Sequence, residues 1–192
     1  MSRKSGSRFC DKDMRKQESA QSVPGVAAIV VMGVSGAGKS TVGQLLAARL
    51  DCPFREADSF HPPANIAKMK SGAPLTDADR WPWLGAIAAW IAEHRAAGTT
   101  CVVTCSALKR VYRDIVTDNQ RADVRLVYLK GGFDLIAARL AARTDHFMPP
   151  ALLKSQFDTL QEPAADERAI TAQIDAAPEE IAEGVVRQLG AS

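Results

Sequence analysis

The spacing of apolar side chains divides the chain into alternating strand and helix patterns. Val26 to Met32 is a continuous apolar run rich in β-branched residues, as expected of a strand buried on both faces. From Thr41 to Leu50, the residues Val42, Leu45, Leu46 and Leu50 recur at helical spacing and form one stripe. A short second strand is predicted over Phe54 to Ala57. A helix is predicted from about Pro82 to Arg95, with Leu84, Ile87, Ala88 and Ile91 inward, because proline suits a first helical turn. Gly98 ends that helix, Thr99 to Thr104 reads as a third strand, and a helix through Tyr112 and Val116 follows. Val124 to Leu129 is a fourth strand. A Gly131-Gly132 turn then leads into a helix over Phe133 to Arg143, with Phe133, Ile136 and Leu140 inward. Another helix reaches about Leu160, alternation at Ile170, Ala172 and Ile174 predicts a fifth strand, and Ile181, Val185, Val186 and Leu189 mark a closing helix. Strands separated throughout by helices predict an α/β fold of three layers, a five-stranded parallel sheet flanked by helices.

Three stretches depart from this rhythm. Met1 to Gly25 is polar with no sustained period and reads as a disordered leader, which leaves 26–192 as one folded domain. Asp11, Asp13 and Glu18 argue against a transit peptide there. Ser59 to Trp83 mixes His61-Pro62-Pro63, Pro74 and Pro82 with charged and aromatic residues, a poor strand and a broken helix. It is expected to be a flap that holds a substrate. Thr144 to Pro150, containing His146-Phe147-Met148, is a candidate lid.

Charge excludes more than it suggests. The first 25 residues carry six basic and three acidic side chains; taken from the totals of 24 and 22, they leave a near-neutral remainder of 18 against 19. That removes the compositional case for a nucleic-acid partner. No apolar run approaches the roughly 20 residues of a bilayer span, so no membrane partner is expected. Cys10, Cys52, Cys101 and Cys105 match no zinc spacing. Cys101 and Cys105, four apart on a strand, would share one face as buried free thiols in a reduced, cytoplasmic setting.

Between the first strand and the first helix lies Gly33-Val34-Ser35-Gly36-Ala37-Gly38-Lys39-Ser40, a full match to the phosphate-cradling pattern G-x-x-x-x-G-K-[ST]. Glycines allow the backbone N–H groups to turn around a phosphate, and the helix that follows aims its positive dipole end at the same anion. Gly33, Val34, Ser35, Gly36, Ala37, Gly38, Lys39, Ser40 and Thr41 are therefore expected to bind the phosphates of ATP, with Lys39 on the outer two and the Ser40 hydroxyl on Mg²⁺. Phosphoryl transfer also needs mobile cations and a group that orients the acceptor hydroxyl. Arg139 and Arg143, one helical turn apart, are assigned the first role and Asp58 the second. Glu56, two residues earlier at the carboxyl end of a strand, is placed near the metal's water shell. The third and fourth strands end in Ser106 and Lys130 rather than in a metal-sensing Asp, and no N-K-x-D or D-x-x-G string occurs. Motor-type ATPases and GTPases are disfavoured, leaving a small-molecule kinase.

The chain resembles the gluconate kinase family, whose P-loop kinase fold shikimate and nucleoside monophosphate kinases share. The resemblance is carried by the glycine loop, Asp58 to Pro62, Asn65 with Lys68-Met69, Gly72 with Pro74-Leu75, and Asp77 to Leu84. It continues through Cys105 to Lys109, Tyr112-Arg113-Asp114, Tyr128 to Gly131, His146 to Met148 and Leu160 to Pro163. It implies ATP- and Mg²⁺-dependent phosphorylation of D-gluconate to 6-phosphogluconate by a cytoplasmic homodimer. Relatives often carry Asp-Gly-Asp where this chain has Glu56-Ala57-Asp58, which bears on the metal role of Glu56. For a polyol with one carboxylate, Arg80 and Lys109 are the natural partners of the acid group, and Asp58, His61 and Ser106 can serve the hydroxyls. Competing readings are a shikimate-kinase-like kinase of another small hydroxy acid and a non-catalytic ATP-binding regulatory protein.

Overall fold

The computed structural model describes residues 23–71, 73–119, 122–142 and 150–190. Five strands form one sheet: β1 (Ala28–Met32), β2 (Phe54–Glu56), β3 (Cys101–Thr104), β4 (Val124–Lys130) and β5 (Ile170–Gln173). Every pairing is parallel, and the strands stand in the order β2-β3-β1-β4-β5.

The hydrophobic run read as the first strand becomes the central one because both of its faces are covered. Successive side chains of a strand point to opposite faces. Ile29 and Val31 enter one core with Leu46 of α1 (Lys39–Leu50), Ile136 of α5 (Phe133–Ala141) and Val185 of α7 (Pro178–Gly190). Ala28, Val30 and Met32 enter the other, with Leu84, Ile87 and Ile91 of α3 (Asp77–Ala96) and Tyr112 of α4 (Arg110–Val116). Each aliphatic side chain so buried contributes roughly 1.5–3 kcal/mol, so neither helical layer can peel away without large loss. Cys101 and Cys105 share the second core as free thiols, on the same face as expected.

The two remaining helices, α2 (Pro63–Lys70) and α6 (Pro150–Thr159), line one cavity with Ser35 and Ser106, which follow β1 and β3. Among the described residues no helix is long and apolar enough to cross a membrane. Val23, assigned to the leader by its neighbours' polarity, is buried in the first core, so the packed chain begins before Val26.

Two expectations are corrected. The helix read from Pro82 starts at Asp77: Thr76 accepts from the Asp79 amide while the Asp79 carboxylate accepts from the Thr76 amide, a capping box that fixes the first turn ahead of the proline. Pro82 therefore lies inside α3, where it has no N–H to give the preceding turn, and Asn65 of α2 donates to the Asp79 carbonyl at 2.8 Å. Phe133 is not inward but 39% exposed; its ring meets the edge of Phe157 on α6, with centroids 5.4 Å apart. The candidate lid residues 144–149 and Arg143 lie outside the described residues.

Candidate active site

The glycine loop folds as its sequence demands. Gly38, at φ +94°, precedes α1 without any side-chain cap, so the opening N–H groups of the helix are left for an anion. Gly36, at φ +85°, passes so close to α5 that a Cβ there would fall 2.8 Å from Leu140. Lys39 Nζ donates to the Val34 carbonyl at 3.0 Å, folded back over its own loop. The loop is also gripped from α6: the Ser35 amide donates to Gln156 Oε1 at 2.7 Å, and Gln156 Nε2 donates to Ser35 Oγ at 3.0 Å.

A cavity of about 270 Å³ opens over this loop, walled by Lys39, Ser40, Glu56, Asp58, Thr104 and Ser106 among others. Asp58 sits in a single 3₁₀ turn, Ala57–Phe60, that follows β2. Trp83 Nε1 donates to the Ala57 carbonyl at 2.7 Å, tying that turn to α3. Glu56 accepts a short hydrogen bond from the Thr104 hydroxyl on the neighbouring strand, which sets its carboxylate at the cavity edge. Among the described residues no three His, Cys, Asp or Glu side chains cluster to hold a metal. Ser40 with one or two carboxylates facing a phosphate cradle is instead the sparse donor set that suits Mg²⁺, which keeps waters and shares phosphate oxygens. Burial pushes the Cys105 thiol up to about 12, so it stands beside Lys39 as a protonated, inert wall.

A larger cavity of about 680 Å³ adjoins the first, and Ser35, Asp58, Trp83 and Ser106 line both. Its far wall carries Arg80, Lys109 and Tyr112, and α6 contributes Leu152, Ser155 and Gln156. His61 stacks on Trp83 at 4.4 Å between centroids, and burial lowers its pKa, favouring the neutral imidazole. Asp77 accepts from Lys109 at 2.9 Å and from Tyr112 Oη at 2.5 Å. These bonds, Tyr112's first, hold the Asp77 carboxyl below its usual range, and the bond to Asp77 is the main cause that raises Lys109. The loop that presents Ser106 and Lys109 is held by Arg113, whose guanidinium donates to the carbonyls of Ala107 and Leu108 and is paired in the core with Glu167.

A third cavity of about 370 Å³ lies on the other side of the glycine loop, bounded by Gly36, Gly38, Thr41, Arg139, Ala176 and Pro178. Arg139 is found there, donating to the Ile174 carbonyl, rather than on the cavity that holds Asp58. The structure thus gathers Glu56, Asp58, His61, Arg80, Ser106 and Lys109 on one side of the glycine loop, and sets Arg139 against the loop's other side. Gln156 and Trp83 stand in the same walls, although sequence reasoning gave them no role, and Asp77, expected at most as a partner of Arg80, stands beside them. The Thr76-x-x-Asp79 box was the local signal for Asp77, whereas nothing near Gln156 in sequence points to Ser35.

A family model described as shikimate kinase matches residues 35–189. A gluconokinase from Gluconobacter oxydans is 45% identical over 85% of this chain and 91% of its own. The crystal structure of a gluconokinase from Sinorhizobium meliloti superposes with a TM-score of 0.76 at 43% identity, covering 85% of this chain and 91% of that one. The chain belongs to the gluconokinase family. Shikimate kinase from Aquifex aeolicus, at a TM-score of 0.54 and 16% identity over 85% of this chain and 96% of its own, shares the fold alone. The segments that carry the gluconokinase resemblance, around Asp58 to Pro62, Arg80 to Trp83 and Ser106 to Lys109, converge on the larger cavity.

Proposed function

We propose that the protein is a gluconokinase that transfers the γ-phosphoryl group of ATP to the 6-hydroxyl of D-gluconate, giving 6-phosphogluconate and ADP. The observation that carries this reading is the shared wall of the two cavities: the one over the glycine loop and the one lined by Arg80 and Lys109 meet at Asp58, Ser35 and Ser106. Donor and acceptor held on either side of that wall face each other without a diffusional step.

In this reading the base end of ATP lies in the third cavity, near Arg139 and Pro178, and the triphosphate crosses the loop at Gly36 and Gly38. Lys39 leaves the Val34 carbonyl for the outer phosphates, a short swing for a side chain already at the loop. Mg²⁺ held by Ser40, with Glu56 in its water shell, would supply neutralisation of phosphate charge. Gluconate lies in the larger cavity with its carboxylate toward Arg80 and Lys109, and its hydroxyls toward His61, Ser106 and Asp58. Asp58 orients the acceptor hydroxyl and takes its proton as the oxygen attacks the γ-phosphorus. The bond to the bridging oxygen breaks, and ADP leaves with the electron pair. Arg143 keeps the role of the cation that approaches the transferred group. The family resemblance supports a homodimer in the cytoplasm, and the free thiols Cys101 and Cys105 accord with a reducing compartment.

A screen of ATP with gluconate, shikimate and related sugar acids tests the substrate. Phosphorylated gluconate as the main product is expected; turnover of shikimate with none of gluconate would overturn the reading.

A further inference from the structure

Behind the acid end of the larger cavity, three donors converge on one side chain. Lys109 Nζ lies 2.9 and 3.2 Å from the two oxygens of Asp77, Arg80 Nη1 lies 3.2 Å from Oδ1, and Tyr112 Oη donates to that same Oδ1 at 2.5 Å. Arg80, Lys109 and Tyr112 line the cavity, whereas Asp77, the first residue of α3, meets them from outside it. Asp79 adds nothing to this balance because it is committed to Lys68 at 2.5 Å. The acid end therefore carries two cations and one anion, a net single positive charge.

A carboxylate entering the cavity shares those cations with Asp77 and is repelled by it. We infer that Asp77 is a specificity-determining residue: it positions Arg80 and Lys109 while cancelling one of their charges, matching the pocket to a single carboxylate and weakening its hold on that group. This rests on the reading of Arg80 and Lys109 as the partners of the gluconate carboxylate. The two effects of Asp77 are separable, since an asparagine oxygen can still accept from Tyr112 and Lys109 but carries no charge. The Tyr112 and Lys109 hydrogen bonds hold the Asp77 carboxyl below its usual range, so its charge is present throughout the neutral range.

The test compares wild type, Asp77→Asn and Asp77→Ala by gluconate kinetics and by calorimetric binding of gluconate and of D-glucitol, a neutral polyol of equal chain length. Asp77→Asn is expected to lower KM and Kd for gluconate by about two- to fivefold, the scale of one partly exposed charge contact. The gain shrinks as ionic strength rises, because salt screens exposed charges. Glucitol binding is unmoved, and Asp77→Ala, which also loses the positioning bonds, binds gluconate less well than Asp77→Asn. An unchanged or raised gluconate KM in Asp77→Asn, or an equal gain for glucitol, overturns the inference. A wild-type protein that binds no gluconate overturns the functional reading as well, so the two failures are told apart.

Discussion

Gln156 holds Ser35 with both ends of its amide, accepting from the Ser35 amide at 2.7 Å and donating to the Ser35 hydroxyl at 3.0 Å. The pair joins α6 to the glycine loop across 121 residues of chain, at the wall between the two cavities. The two cavities are thereby mechanically connected, and a change in α6 reaches the glycine loop.

Two such bonds are worth about 1–2 kcal/mol together. Gln156→Ala is expected to lower kcat/KM by about tenfold, with Ser35→Ala losing less because its amide bond to Gln156 survives. A double-mutant cycle on kcat/KM should return a coupling of about 0.5–1.5 kcal/mol. Simple additivity would show that the contact does not act in turnover.

Arg113 is fully buried, paired with Glu167 at 2.6 Å and bonded to the Ala107 and Leu108 carbonyls. Removing one partner strands the other charge in the core, so Arg113→Ala is expected to cost about 3–5 kcal/mol of stability in denaturant unfolding. Replacing both, as Arg113→Met with Glu167→Leu, should cost less than the sum of the single changes. The double variant should still raise the KM for gluconate, because the loop that presents Ser106 and Lys109 loses its carbonyl anchors.

How far the sequence reached depends on the range of the physics involved. The glycine loop, the central strand and the stripes of α1 and α7 are local patterns, and they fold as read. The start of α3 was misread because Pro82 imitates a first turn, while the Thr76–Asp79 box sets the true start at Asp77, five residues earlier. Phe133 follows helical spacing yet faces α6, a neighbour that periodicity alone does not place. Asp58, Arg80 and Lys109, singled out by residue type, do line one cavity. The Asp77–Arg80 pair, three residues apart on one helix, was within reach of sequence; that Asp77 also partners Lys109, or that Arg139 faces a different cavity from Asp58, depends on tertiary packing with no local trace.

Burial pushes the Cys101 and Cys105 thiols up to about 12 and Cys52 to about 11, against 9.0 unperturbed. A value raised by folding means the folded chain keeps protons that the unfolded chain gives up. Stability is therefore full below pH about 9 and declines as pH climbs toward 11–12. Thermal midpoints measured from pH 8 upward should fall more steeply in wild type than in a Cys101→Ala, Cys105→Ala variant. At pH 8 iodoacetamide should label both thiols only after denaturation; rapid labelling of the native protein would contradict their burial.

The most direct test follows 6-phosphogluconate formation in a coupled assay with wild type and Asp58→Asn, alongside ATP binding. Loss of the carboxylate proposed to take the acceptor's proton is expected to cut kcat by about 10²- to 10⁴-fold while the ATP Kd stays within about twofold. Turnover in Asp58→Asn close to that of wild type would contradict the placement of phosphoryl transfer at the wall between the two cavities.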